Sequence, residues 1–189
     1  MKGLRREIAG QYSVKFKKIM IAKVKADVEK VKRQMLAEFS AHKITQDLES
    51  GASGGNLAGG GSLFSFIGFH AGDTPTNAIR AILISSLRVS VTRVLKSDIE
   101  VNFRIDIPSM SEIEAATPLP WASGMSWVRE IEKGITGLGQ YLVKDSPSSR
   151  SGKAIQVKGN INSGNMNGTI YMTQIIGNLV KNLTKTLES

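Results

Sequence analysis

Side chains able to carry out acid–base or nucleophilic chemistry are few in this sequence and lie far apart. The chain has no Cys and two His, His42 and His70, so thiol nucleophiles, disulfides and Cys-based zinc or iron–sulfur sites are excluded. His70 lies close before Asp73, but no G-x-S-x-G stretch marks a serine nucleophile. Glu112 and Glu114 would point away from each other on a helix. The sequence therefore predicts a protein that is not an enzyme and that holds no cofactor or metal.

Phosphate binding is the next chemistry to consider, because residues 51–61 contain six glycines. This segment matches neither G-x-x-x-x-G-K-[ST] nor G-x-G-x-x-G. A glycine run loses much backbone entropy on ordering and has few side chains to pack, so we predict a flexible linker here. A loop that folds only against a neighbouring subunit is the alternative. The predicted organisation is a basic helical segment (1–50), a Gly-rich linker (51–61) and an α+β domain (62–189).

Positive charge is concentrated at the N-terminus. The chain has 25 Lys and Arg against 16 Asp and Glu, a net charge of +9, and residues 1–33 carry most of this excess. Such a segment attracts phosphate without reading base sequence. A solvated helix that covers its own domain, or a helix that binds a partner, would have the same composition. The candidate DNA or phosphate contacts are Lys15, Lys17, Lys18, Lys23, Lys25, Lys30, Lys32 and Arg33.

The same segment has the apolar spacing of a long helix. Ile21, Val24, Val28, Val31 and Met35 follow one another at intervals of 3, 4, 3 and 4 residues, which places them along one seam of a helix. We predict a helix from about Val14 to His42 that packs this seam against another helix or a sheet. No apolar run reaches the roughly 18 residues of a membrane span, and the N-terminus lacks the apolar core of a signal peptide. We therefore expect no membrane partner.

Two strands follow in the middle of the chain. Apolar residues occupy the odd positions of 99–107 and, apart from Arg93, those of 87–95, and polar residues occupy most of the even positions. Both apolar sets fall on one face of a hairpin only if the loop is odd in length, and a turn at Lys96–Asp98 satisfies this condition. The resulting register pairs Arg88 with Asp106, Val89 with Ile105 and Val91 with Phe103.

Local signals place the remaining elements. Asp73-Thr74-Pro75 predicts a helix over 75–86, and Ser109 with Glu112 forms a capping-box pattern. We further predict a helix over 123–133 that ends at Gly134, short strands over 135–143 and 154–158, a polar loop over 159–168 and a final helix over 169–187. The fold class is α+β: a small antiparallel sheet packed by helices, with long N-terminal and C-terminal helices.

An apolar and aromatic segment lies directly after the glycine run. Leu63, Phe64, Phe66, Ile67 and Phe69 lie within seven residues. They are typical either of a buried core segment or of an interface plug carried on a flexible linker. The second interpretation makes these five residues the anchor through which the chain contacts other subunits.

Three stretches resemble a known family when they are taken in order: SLFSFIGFHAGDTP, TPLPWASGMSWVREIEKGI and SRSGKAIQVKG. Over about residues 36–189 the chain is similar to small virion proteins of tailed bacteriophages, from the neck, head–tail connector or tail-completion region. The resemblance implies a structural protein that is made in the host cytoplasm and resides in the virion. It would form a ring of its own copies, in contact with connector and tail-tube proteins, with DNA passing through the channel. The alternative function is that of a basic nucleic-acid-binding accessory protein.

Overall fold

A computed structural model describes residues 2–54, 62–94, 101–120, 122–134, 143–144, 154–155 and 169–188. The helices among them are α1 (Lys2–Ala41), α2 (Lys43–Glu49), a single 3₁₀ turn (Gly51–Ser53), α3 (Leu63–Ile67), α4 (Pro75–Ser86), α5 (Met110–Ala115), α6 (Trp127–Lys133) and α7 (Met172–Leu187). The strands are β1 (Arg88–Val94), β2 (Val101–Asp106), β3 (Pro118–Leu119), β4 (Ala122–Ser126), β5 (Val143–Lys144) and β6 (Ala154–Ile155). The strands pair as three antiparallel ladders, β1–β2, β3–β4 and β5–β6. The predicted α+β class with long terminal helices is confirmed.

Helix α1 is 40 residues long, or about 60 Å at 1.5 Å per residue. The predicted apolar seam of α1 packs into the core: Val28, Val31 and Met35 are buried, and Val24 packs against them. Phe39 continues the seam by one more turn. The seam packs mainly against α7 and also contacts α4 and the β1–β2 hairpin. The inner part of α1 is therefore a wall of the core.

One apolar core connects the elements that the sequence divided into separate parts. Side chains of α1 and α2 belong to the same buried cluster as those of α3 to α7. The predicted boundary at residue 50 therefore does not separate two cores. The members of the cluster include Val28, Met35, Phe39, Ile44, Leu48, Leu63, Phe64, Ile67, Ile79, Leu83, Ile113, Trp127, Val128, Ile131, Tyr171, Met172, Ile175 and Leu179.

The register of the β1–β2 hairpin agrees with the sequence prediction in its first half. Arg88 pairs with Asp106, Val89 with Ile105 and Val91 with Phe103. Beyond Val91 the register shifts, so that Arg93 lies opposite Asn102 and a bulge forms at Thr92. The predicted turn at 96–98 lies outside the described residues.

Helix α6 begins later than predicted. Residues 122–126 form strand β4, and the helix starts at Trp127. Gly124 has φ +76°, which a helix excludes, and the Ser126 side chain accepts a hydrogen bond from the Arg129 N–H at 3.3 Å as the N-cap. The inward side chains of α6 are those predicted, since Trp127, Val128 and Ile131 are all buried.

The other local predictions are confirmed in part. The helix over 75–86 and the capping box of Ser109 and Glu112 are both present. Of the predicted strands over 135–143 and 154–158, the described residues include Val143 and Ala154–Ile155, which are strand. The predicted loop over 159–168 lies outside the described residues. Helix α7 begins at Met172 and buries Ile175, while Leu187 is exposed.

Helix α7 is capped by a side chain from another element. Its N-cap residue, Tyr171, makes no capping bond of its own. Instead, Glu132 of α6 accepts hydrogen bonds from the N–H of Tyr171 at 3.1 Å, the N–H of Thr173 at 2.8 Å and the Thr173 hydroxyl at 2.7 Å. A carboxylate at a helix N-terminus is also favoured by the helix dipole. Glu132 thus holds the first turn of α7 against α6.

We expect Glu132→Ala to lower the free energy of unfolding by about 1–3 kcal/mol, because it leaves the first N–H groups of α7 without their partner. Urea unfolding followed by circular dichroism measures the change. Glu130→Ala on the same helix is the matched control, since Glu130 makes no such bond to α7, and we expect it to change stability by about 0.5 kcal/mol or less. Equal losses in the two variants would contradict the capping role.

Candidate assembly surfaces

The predicted anchoring segment lies in the interior of the chain. Leu63, Phe64 and Ile67 are buried in the core, and Phe66 and Phe69 are half-buried against it. Phe69 packs on Phe64 at 5.4 Å between ring centroids and meets Trp127 edge-on at 6.1 Å. A side chain inside its own core cannot also contact another subunit. The interface prediction is therefore corrected for Leu63, Phe64 and Ile67, and the core interpretation holds.

Short-range and longer-range hydrogen bonds hold this segment in place. The Ser62 side chain accepts from the Phe64 N–H and caps α3, which ends at Gly68 with φ +96°. The buried carboxylate of Asp47 accepts from the Leu63 N–H at 2.7 Å. The Ser62 hydroxyl also donates to the Gly51 carbonyl. This bond brings Gly51 and Ser62, which flank the rest of the Gly-rich segment, into contact. Residues 55–61 of that segment lie outside the described part of the chain.

Apolar side chains are exposed on the outer segment of α1, which we define as residues 14–23. Val14 is 56 % exposed, Phe16 45 % and Ile19 58 %. None of the three belongs to the apolar core, whose contribution from α1 begins at Val24. Phe16 and Ile19 are three residues apart and lie on one side of the helix, where they form an apolar surface, whereas Val14 lies on a different side. Covering this surface with another apolar surface would be favourable, because it removes apolar area from water.

The predicted phosphate-contacting cations divide into three sets on α1. Lys23, Lys30 and Arg33 lie on the side of the helix opposite the buried Val28, as a 3.6-residue period requires, and all three are exposed. Lys15 is exposed on the same side, and Lys18, Lys25 and Lys32 follow the flank of the seam at intervals of seven residues. Lys17 falls on the seam itself and is 8 % exposed. Lys17 is therefore withdrawn from the set of free phosphate contacts.

The hairpin leaves part of its apolar face open to solvent. Val89, Phe103 and Ile105 are half-buried, while Val91 and Ile107 are 37 % and 40 % exposed. The face that the alternation predicted as buried is thus covered only in part. Two-stranded ribbons are marginally stable by themselves, so further cover would stabilise this one.

A polar cluster joins the α1–α2 junction to α4. Arg80 forms an ion pair with Glu49 at 2.9 Å, donates to the Ser40 hydroxyl at 3.0 Å and lies 5.2 Å from the centroid of the Phe39 ring. Thr76 also donates to Glu49 at 3.1 Å. Both charged groups are satisfied by this network, which fixes the angle between α2 and α4. Sequence reasoning missed the cluster because its hydrogen-bonded partners are 27 to 40 residues apart and form no motif.

His42 and Tyr171 meet where α1 ends and α7 begins. Their rings are 4.7 Å apart, and the Tyr171 hydroxyl is hydrogen-bonded to the Thr45 hydroxyl at 2.7 Å. Burial raises the pKa of Tyr171 well above its ordinary value, so the phenol stays protonated.

Nδ1 of His42 accepts from the Ile44 N–H at 3.3 Å and so caps α2. Burial first, and the adjacent Lys43 second, lower the pKa of His42, and a hydrogen bond to the Ile170 backbone opposes this in part.

We expect the free energy of unfolding to decrease in mild acid because of His42. Its lowered pKa means that the unfolded chain takes up a proton at a higher pH than the folded chain does. Stability is therefore complete above the ordinary pKa of about 6.5 and is lost as the pH falls from there toward the folded pKa. His42→Asn keeps a capping oxygen and should flatten this dependence in urea unfolding between about pH 7 and pH 5. His70 is present in both proteins, so its contribution cancels, and identical pH profiles would contradict the prediction.

The residues first considered for catalysis have structural roles. The carboxylate of Asp73 accepts from the backbone N–H of His70 at 2.7 Å in a turn. Glu112 accepts from the backbone N–H and the hydroxyl of Ser109, both at 3.0 Å, and these bonds hold the pKa of Glu112 below its usual range. Among the residues that the structure describes, no three His, Asp or Glu side chains lie together as metal ligands would.

Comparisons with known proteins found no match to any family model, to any curated protein or to any solved structure. Within the described parts of the chain, no helix combines the length and the apolar character that crossing a membrane requires.

Proposed function

We propose that the chain is a structural virion protein of a tailed phage and forms part of the neck, connector or tail-terminator ring that joins head and tail. The observation that carries the proposal is the outer segment of α1, where Val14, Phe16 and Ile19 stand exposed beyond the core. The resemblance of residues 36–189 to virion proteins of this region supplies the biological setting. The partners are copies of the chain, neighbouring connector and tail-tube proteins and, in the channel, DNA.

Subunit contact is the activity that the described surfaces support best. A helix about 60 Å long whose inner part lies in the core offers its outer part to a neighbour without disturbing the fold. The hairpin offers a second apolar surface at Val91, which is 37 % exposed. Two different surfaces on one subunit suit a heterologous contact, which closes into a ring when it repeats around a symmetry axis.

The mass of the purified full-length chain in solution tests the proposal. Sedimentation velocity should give a closed oligomer at micromolar concentration, and negative-stain electron microscopy should show rings. Antibody labelling of the intact phage that encodes the chain should mark the junction of head and tail. A monomer at every concentration together with unlabelled particles would overturn the proposal.

Nucleic-acid binding is the second candidate function. The observation that favours it is that the exposed cations of α1 stand without carboxylate partners in the described part of the chain. An exposed basic helix binds DNA through its phosphates and weakens steeply with salt.

The salt dependence of duplex DNA binding distinguishes this second candidate. Changing Lys23, Lys30 and Arg33 to Gln should reduce the slope of log K against log salt by about one for each phosphate that a cation no longer neutralises. Lys181→Gln with Lys185→Gln on α7 is the control and should leave the slope unchanged. Absence of binding at low salt would exclude the candidate.

A further inference from the structure

A groove of about 560 Å³ separates α1 from the corner where α4 passes into β1. Lys25 and Lys32 form one wall, and Arg88 and Ser85 stand on the other. The two lysines are seven residues apart, so they lie about 10 Å from each other along the same side of α1. The groove is thus long enough to accommodate two turns of a helix or a short extended segment.

The rim of the groove carries positive charge that the described chain does not neutralise. Arg88 donates through Nε to the Ser85 carbonyl at 2.6 Å, which holds its guanidinium at the rim. Neither Lys25, Lys32 nor Arg88 has a carboxylate within ion-pair distance among the residues described. Glu29 is the one acid among the described lining residues, which leaves the rim cationic.

The floor of the groove is apolar. Val28 and Leu87 are buried beneath it, Val89 is half-buried and Ile84 is 48 % exposed. From Val89 the apolar surface continues along β1 to the exposed Val91. A phosphate or a nucleic-acid backbone would satisfy the cations but would leave these apolar side chains in water. The groove therefore matches an occupant that combines carboxylates with apolar side chains.

We propose that this groove binds an acidic segment with apolar side chains from a different protein, in which carboxylates pair with Lys25, Lys32 and Arg88 while an apolar side chain covers Ile84. The proposal rests on the proposed function, since in the virion such a partner would be a neighbouring connector or tail protein. It names the chemistry of that neighbour. Desolvated charge pairs over an apolar floor give both orientation and affinity.

A second copy of the chain is a poor source of such a segment. Slightly more than half of its described carboxylates are already bound within the subunit, where they cap helices, close turns, pair with arginine or, for Glu38, accept from the Asn178 amide. The bound ones are Glu38, Asp47, Glu49, Asp73, Asp106, Glu112 and Glu132. The occupant is therefore expected to come from a protein more acidic than this chain, which itself carries a net charge of +9.

Selection from a displayed library of random peptides roughly 12 residues long, an ordinary length for a bound linear segment, tests the proposal with the full chain as bait. Recovered peptides should be rich in Asp and Glu together with Leu, Ile or Phe. One of them, labelled for fluorescence anisotropy, should bind about tenfold or more weakly when Lys25, Lys32 and Arg88 are all changed to Gln. Ile84→Ser should weaken it about fivefold, since an exposed side chain loses only part of a full burial energy.

Matched controls remove the same charge and apolar area elsewhere. The variant with Lys23, Lys30 and Arg33 changed to Gln has the same net charge as the groove variant, and Val180→Ser removes an exposed apolar side chain from α7. Both should bind the peptide as the wild type does. Equal weakening by the two triple variants, or selected peptides without apolar residues, would overturn the proposal in favour of unspecific charge attraction. Competition by a second copy would also overturn it.

Failure of this proposal is distinguishable from failure of the proposed function. The groove variant should form the same oligomer as the wild type, because the occupant is a different protein. If the wild type forms a ring but no selected peptide binds at the groove, only the groove proposal is overturned. A monomeric wild type that binds acidic apolar peptides would overturn the ring and leave the groove proposal standing.

Discussion

Truncating Leu63 to Ala should lower the free energy of unfolding of the isolated subunit by about 2–5 kcal/mol. Leu63 is fully buried among the side chains of the core, so its removal leaves a cavity and loses the transfer energy of the deleted atoms. Its N–H is bonded to the buried Asp47, so the surrounding backbone has little freedom to collapse into the space. Urea unfolding at low protein concentration, where assembly does not contribute, measures the change.

This result separates the two interpretations of the aromatic segment. If Leu63 anchored a neighbouring subunit, Leu63→Ala would weaken association and leave the stability of the monomer unchanged. Ile84→Ala is the control for an exposed aliphatic residue and should cost about 0.5 kcal/mol or less. Should Leu63→Ala be too unstable to purify, Ile67→Val removes a single methylene from the same helix and should cost about 0.5–1.5 kcal/mol. An unchanged midpoint for Ile67→Val would contradict the core placement.

Changing Phe16 and Ile19 to Ser should weaken self-association at least about a hundredfold while leaving the subunit folded. Each side chain is about half exposed in the subunit, and covering it in an interface contributes on the order of 1.5 kcal/mol, or about tenfold in affinity. Neither belongs to the core, so the unfolding midpoint of the monomer should not move. Sedimentation velocity over a range of concentrations measures the association.

The matched control for this variant is Val180→Ser with Leu187→Ser on α7, where both side chains are also exposed. We expect the control to assemble like the wild type. Assembly of the Phe16 and Ile19 variant at the wild-type concentration would show that the outer segment of α1 does not form the subunit contact. Failure of both variants to assemble would point to a general effect of added polar groups on the surface.

The part of the fold that sequence alone determined is the part encoded by neighbouring residues. Ser109 and Glu112 are three residues apart and form their capping box, and Pro75 begins α4 as its position after Thr74 predicted. The alternation around Val89 and Ile105 predicted their pairing, because the two apolar sets share a face only when the loop is odd in length and a three-residue turn gives this register. Such signals act over a few residues, so they persist whatever the rest of the chain does.

Burial and long-range partners were decided by tertiary structure. Five apolar residues after a glycine run have the same sequence in a core segment and in an interface plug. Here the contacts with Asp47 and Trp127 belong to the core placement. The hydrogen bond between Glu132 and Thr173 joins residues 41 positions apart, and the bond between Thr45 and Tyr171 joins residues 126 positions apart. No local sequence pattern predicts either bond. For the candidate surfaces, composition identified the basic helix, but only packing separated the buried Lys17 from the exposed cations and placed Lys25, Lys32 and Arg88 around one groove. The physical reason is that a side chain's environment depends on which surfaces meet across the fold, and that is a property of the assembled core rather than of any short stretch of sequence.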